Sequence, residues 1–183
     1  MTPDPAYGSF FHVAGSAEEA AHLAVLREKF GDEMVDQLLR GRELHEHPRP
    51  LAEDERAVLR QAAAPVLRDM AASGAIVLDI REEAREDRGA AVCAWVTRAD
   101  GVSGMGIWVQ RDGSPAERVA ALAEQLQEFE VEELCAAGRS ATWPECPQHP
   151  NSHPLEPVAA DQHTAVWRCP RSGAVICAIG DLR

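Results

Sequence analysis

Apolar residues recur at helical spacing in four stretches of the chain and alternate in a block between the third and fourth. Ser16 and Glu19 have the spacing of a capping box, and Leu23, Leu26 and Phe30 follow on one face, so a helix is predicted from 16 to its stop at Gly31. A second short helix is predicted over 32–40, bounded by Gly41, with Met34, Val35, Leu38 and Leu39 as its apolar stripe. Val58, Leu59, Ala62, Val66, Leu67 and Met70 predict a third helix over 52–73. Pro65 is expected to kink or split it, because proline removes a backbone donor. Ser114-Pro115-Ala116-Glu117 supplies a cap, a proline at the first helical position and a glutamate that can reach back. The helix it opens is predicted to run to 137 with Val119, Leu122, Leu126 and Phe129 inward, and to end at Gly138.

Between the third and fourth helices the period shifts toward two. Three strands are predicted, at 75–80, 91–97 and 105–110, and the short polar turns between them favour an antiparallel meander. One face collects Ile76, Leu78, Ile80, Val92, Val96, Ile107 and Val109; the other collects Asp79, Cys93, Trp95 and Trp108. Two more strand-like runs, 164–168 and 174–179, lie near the end of the chain, while the prolines of 45–50 mark a loop. The pattern as a whole predicts an α+β fold: N-terminal helices, a three-stranded antiparallel meander and one long helix, with a small C-terminal ribbon-like β-hairpin module. The domain organisation expected is a tail over 1–15, an α+β domain over 16–139 and the module over 140–183.

Composition narrows the partners. A net charge of −12 sits almost wholly before residue 140, which sets the chain against phosphate backbones at long range, so nucleic acid is not the expected ligand. No apolar run reaches the length of a membrane span, and the first residues lack the basic and apolar profile of a signal peptide. Five scattered cysteines fit a reduced, cytoplasmic setting better than a disulfide framework; Cys93 and Cys135 read as small buried hydrophobes. Glu128, Glu130, Glu132 and Glu133 read as a solvated acidic face, and His45 and His47 as a solvated loop. No phosphate-binding glycine loop, dinucleotide fingerprint, H-E-x-x-H or G-x-S-x-G is present.

The chemistry concentrates in the last forty or so residues. Cys146 and His149 have the C-x-x-H spacing that one tight turn allows, His153 follows four residues later, and Cys169 begins a second turn between the two late strands. Together Cys146, His149, His153 and Cys169 make a Cys2His2 set suited to zinc, which prefers four N or S ligands; Cys177 and His163 are the reserves for the fourth place. The prolines at 144, 147, 150 and 154 stiffen the first turn.

Trp143-Pro144-Glu145-Cys146-Pro147-Gln148-His149-Pro150 and Trp167-Arg168-Cys169-Pro170-Arg171-Ser172-Gly173 each resemble one knuckle of a zinc ribbon, with Ser172 standing where the second knuckle has its second cysteine. The same phrases are similar to the C-terminal part of small uncharacterised bacterial proteins of high-GC genomes. The ribbon resemblance covers about 143–182 and implies a structural metal site and no activity. The function favoured is therefore that of a cytosolic, non-catalytic interaction or regulatory protein with a protein partner. The rivals are a metal-dependent enzyme with an open three-ligand site and a metal-free small-ligand binder using the Trp95 and Trp108 face. On that face the expected cover is the tail or the ribbon.

Overall fold

The computed structural model describes residues 17–37, 39, 47–76, 78–86, 88–99, 101 and 103–183. The tail over 1–15, Ser16, Leu38, Gly41 and His45 lie outside the described residues. The chain divides into two compact units, at residues 43 and 44. In the first, α1 (Ala17–Phe30) is followed by α2, described over 32–37. Arg27 joins the two by ion pairs to Asp32 at 3.0 Å and Asp36 at 2.6 Å. Val35 is buried, but Phe30 and Met34 are 54% and 50% exposed, so the inward positions expected for them are corrected.

The second unit is an α+β arrangement built from α3 (Glu53–Ala72), α4 (Pro115–Ala136) and three small antiparallel sheets. The meander consists of β2 (Leu78–Arg81), β4 (Ala91–Arg98) and β5 (Gly104–Gln110), in that order. Its register sets Val92 opposite Val109, Ala94 opposite Ile107 and Ile80 opposite Val96, which puts these side chains on one face. That face is the core: Val92, Val96, Ile107 and Val109 are all but inaccessible. On the other face Trp95 and Trp108 are half-buried, and the tail expected there lies outside the described residues. Arg85 and Arg88, in the connection that leads into β4, lie over this face, their guanidinium carbons 5.1 Å and 4.1 Å from the two ring centroids.

α3 runs unbroken for 20 residues, so Pro65 does not split it. Ala62, Ala63 and Val66 around the proline are buried, and the burial of that stripe offsets one missing backbone bond. Ala52 has no side chain with which to cap the helix; instead Glu55 reaches back to the Ala52 N–H at 2.7 Å. Glu55 is itself held by Arg49 at 2.7 Å and Arg111 at 2.7 Å, and the Arg49 guanidinium, helped by the Ala52 N–H and Arg111, holds its carboxyl down at about 2 against the cost of burial.

α4 begins as its sequence predicts. The Glu117 N–H donates to Ser114 Oγ at 3.2 Å and Glu117 Oε2 accepts from the Ser114 N–H at 2.8 Å. It ends at Gly138, whose φ of +67° is a conformation that glycine adopts without a Cβ penalty. The acidic face expected near its end is corrected: Glu130 is fully buried and Glu133 nearly so, the latter 3.3 Å from Arg98, while Glu128 and Glu132 are exposed. Burial pushes the Glu130 carboxyl up despite its bond from the Ile76 N–H at 2.7 Å, and its second oxygen has no hydrogen-bond partner among the described residues. Gln125 exchanges two hydrogen bonds, both 2.9 Å, with the backbone N–H and C=O of Trp108 on β5.

The C-terminal part is a three-stranded sheet rather than a hairpin alone: β6 (Glu156–Ala159), β7 (Ala165–Arg168) and β8 (Val175–Ala178), with β7 central. β6 was not expected, nor were the two-residue strands β1 (Arg49–Pro50) and β3 (Glu83–Ala84), which pair with each other. Trp143, Leu155 and Trp167 join the core formed by α3, α4 and the meander, so residues 140–183 share one apolar interior with the preceding elements. Cys93 is buried as expected, but Cys135 is exposed. Among the described residues no helix is long and apolar enough to cross a membrane.

Candidate metal centre

The four side chains converge. The ligand atoms of Cys146, His149, His153 and Cys169 all lie within 4.8 Å of one another, a group that can hold a metal ion. His149 Nδ1 is 3.6 Å from Cys146 Sγ and 3.4 Å from Cys169 Sγ; His153 Nε2 is 3.3 Å from His149 Nδ1 and 3.8 Å from Cys169 Sγ. Both sulfurs are fully buried and both imidazoles half-buried.

Each ligand is placed by local backbone chemistry. The first turn closes with the His149 N–H on the Cys146 carbonyl at 3.1 Å. The second closes with the Gly173 N–H on the Cys169 carbonyl at 2.8 Å, and Gly173 takes a φ of +71° that the turn demands of it. Inside this second turn the Ser172 N–H donates to Cys169 Sγ at 3.4 Å, the kind of bond that stabilises a thiolate. Burial pushes the Cys169 thiol up, but the Ser172 side chain and N–H, the Arg171 N–H and Cys146 outweigh it and hold the thiol down at about 6. The Ser172 hydroxyl donates to Gln148 Oε1 at 2.8 Å, so the residue in the place of a missing cysteine ties one turn to the other.

His153 carries the most telling detail. Its Nδ1 lies 2.8 Å from the Pro154 carbonyl oxygen, and a carbonyl only accepts, so Nδ1 is placed as the donor and Nε2, on the cluster side, is the ring atom placed to bind a metal. The reserves lie elsewhere. His163 is exposed in the β6–β7 turn, and Cys177 pairs with Trp167 within the sheet, where burial raises its thiol. The two nearby carboxylates are engaged: Glu145 accepts from the Asn151 N–H at 2.6 Å, and Glu156 pairs with Arg168 at 2.7 Å.

What sequence reasoning missed is the scaffold behind the ligands. Asp69, fully buried on α3, accepts from Trp167 Nε1 at 2.6 Å, the Gly180 N–H at 2.7 Å and the Leu182 N–H at 2.8 Å. Ser73 accepts from Trp143 Nε1 at 2.8 Å, and Gln127 on α4 donates to the carbonyls of Trp143 and Leu155 at 2.9 and 2.6 Å. One signal pointed there: Asp69 interrupts the apolar stripe of α3 between Val66 and Met70, and an acid in such a place needs buried donors. Set against family models, curated proteins and solved structures, the chain matches none.

Proposed function

We propose that Cys146, His149, His153 and Cys169 bind one zinc ion with four protein ligands, and that the ion is structural in a zinc-ribbon-like segment of a non-catalytic interaction or regulatory protein. The observation that carries this reading is the convergence of the four ligand atoms within 4.8 Å of one another, with His153 Nδ1 on the Pro154 carbonyl and Nε2 on the cluster side. The separations support it. A tetrahedron with bonds of about 2.3 Å to sulfur and about 2.05 Å to nitrogen has edges of roughly 3.3 Å between nitrogens and roughly 3.6 Å between nitrogen and sulfur. Four of the six separations here are 3.3 Å, and 3.4, 3.6 and 3.8 Å, and the remaining two, from Cys146 Sγ to Cys169 Sγ and to His153 Nε2, are within 4.8 Å. Two thiolates and two neutral imidazoles balance a divalent ion, and a neutral site suits the buried sulfurs. With all four places taken by protein and both nearby carboxylates in other bonds, the arrangement favours stabilisation over water activation. Five free cysteines fit a reducing compartment such as the cytoplasm.

The test is metal analysis of protein purified without chelator. One zinc per chain, lost in His153→Ala, is expected; stoichiometry near zero overturns the reading. A metal retained in full by His153→Ala moves the site to three ligands and favours the enzymatic alternative.

A further inference from the structure

The second turn has the closure of a two-ligand knuckle and supplies only one ligand. Cys169 and Ser172 stand at the same three-residue spacing as Cys146 and His149, and each pair is closed by backbone hydrogen bonds around its first residue. In the first turn that spacing brings the fourth residue's ring nitrogen to 3.6 Å from the first residue's sulfur. In the second, the Ser172 N–H is already 3.4 Å from Cys169 Sγ, but its hydroxyl faces Gln148 at 2.8 Å. On the metal reading, the fourth ligand comes from the other turn, as His153, and residue 172 contributes none.

Resting on the metal reading above, we propose that residue 172 decides which side chain is the fourth ligand. With serine there, the hydroxyl clamps Gln148 and leaves the place to His153, so the site is Cys2His2 and neutral. With cysteine there, the thiolate competes with His153 for the same place, giving a Cys3His site with one more negative charge. Ser172 and His153 are then two halves of one exchange: loss of the imidazole can be repaired at a residue 19 positions away.

The test uses the full chain loaded with cobalt(II), whose sulfur-to-metal charge-transfer absorption grows with the number of thiolates. Wild type, His153→Ala, Ser172→Cys and the double variant are compared by absorption spectrum and by competition with a chelator. Wild type is expected to show two thiolates. His153→Ala should bind cobalt at least about tenfold more weakly. The double variant should recover most of that loss and show charge-transfer absorption about half as strong again as wild type. A double variant that binds no better than His153→Ala, or that regains affinity with an unchanged spectrum, overturns the exchange. Wild type that takes up no cobalt and no zinc overturns the metal reading itself. Circular dichroism of each variant separates loss of the ligand from loss of the fold.

Discussion

The indole N–H of Trp167 donates to Oδ2 of Asp69 over 2.6 Å, between residues 98 apart in sequence. The same oxygen takes the Gly180 N–H, and its twin takes the Leu182 N–H, so one α3 carboxylate satisfies three donors of the C-terminal segment away from water. Two residues past Trp167 stands the ligand Cys169. The Cys/His cluster is thus held from behind by a helix that contributes none of its side chains.

Asp69→Asn replaces an acceptor-only group with one that carries two donors, and it turns at least one N–H toward another N–H. It should destabilise the protein by about 3 kcal/mol. Urea unfolding measures this; a loss under about 1 kcal/mol would mean that the three bonds are not maintained in solution.

Because Trp143, Leu155 and Trp167 belong to the common core, removal of the proposed metal should be felt beyond residues 140–183. With chelator, hydrogen exchange is expected to rise most in 144–155 and 168–174, and measurably in the second half of α3, through Asp69 and Ser73. Cys146→Ser should reproduce the pattern. Unchanged protection in α3 would show that the two regions unfold independently.

Glu55 gives the acid side of the stability profile. Its folded carboxyl is held at about 2, below its ordinary value of 4.5, so its contribution is present above pH 4.5 and is lost as the pH falls toward 2. Glu55→Gln should cost about 1–2 kcal/mol at pH 7, since both arginine partners are partly in solvent, and little at pH 2. Equal losses at the two values would reject the ion pairs as the source.

Glu130 acts in the opposite sense. Burial raises its carboxyl, so the folded state binds the proton more tightly than the unfolded chain does, and that contribution fades as the pH climbs through the raised value. Glu130→Gln keeps an acceptor for the Ile76 N–H and cannot ionise. Relative to wild type it should gain stability as the pH rises above the ordinary carboxylate value of 4.5, by about 1 kcal/mol. Parallel pH profiles for the two proteins would remove the argument.

Ser114→Ala deletes one half of the box that starts α4 and should cost about 1 kcal/mol, with metal content unchanged. Thermal unfolding and zinc analysis on the same sample check both parts. A loss of several kcal/mol would point to a role beyond the cap.

The meander and α4 were legible because their signals are local. Val92, Val96, Ile107 and Val109 fall at strand spacing, and Ser114 to Glu117 form a cap on their own. β6 was not legible: Pro157 breaks its pattern, all four residues are only half-buried, and it becomes a strand by pairing with β7. Likewise Glu130 and Glu133 look like surface residues until α4 is packed, because a helix face is assigned inward by its neighbours. At the site, spacing picked out Cys146, His149, His153 and Cys169, with His163 and Cys177 in reserve. The choice among His153, His163 and Cys177 depended on the path of the chain: a four-residue strand spans roughly 13 Å, and His163 lies at the opposite end of β7 from Cys169.

The Gln125 side chain has one further consequence. By giving and taking a hydrogen bond at Trp108 it meets the rim of β5 as the peptide group of a neighbouring strand would. A foreign chain seeking to extend the meander at that point finds the groups already used. Gln125 therefore closes that point of the β5 edge to strand pairing as well as packing α4, and its loss should register in solubility during concentration or storage as well as in the melting curve.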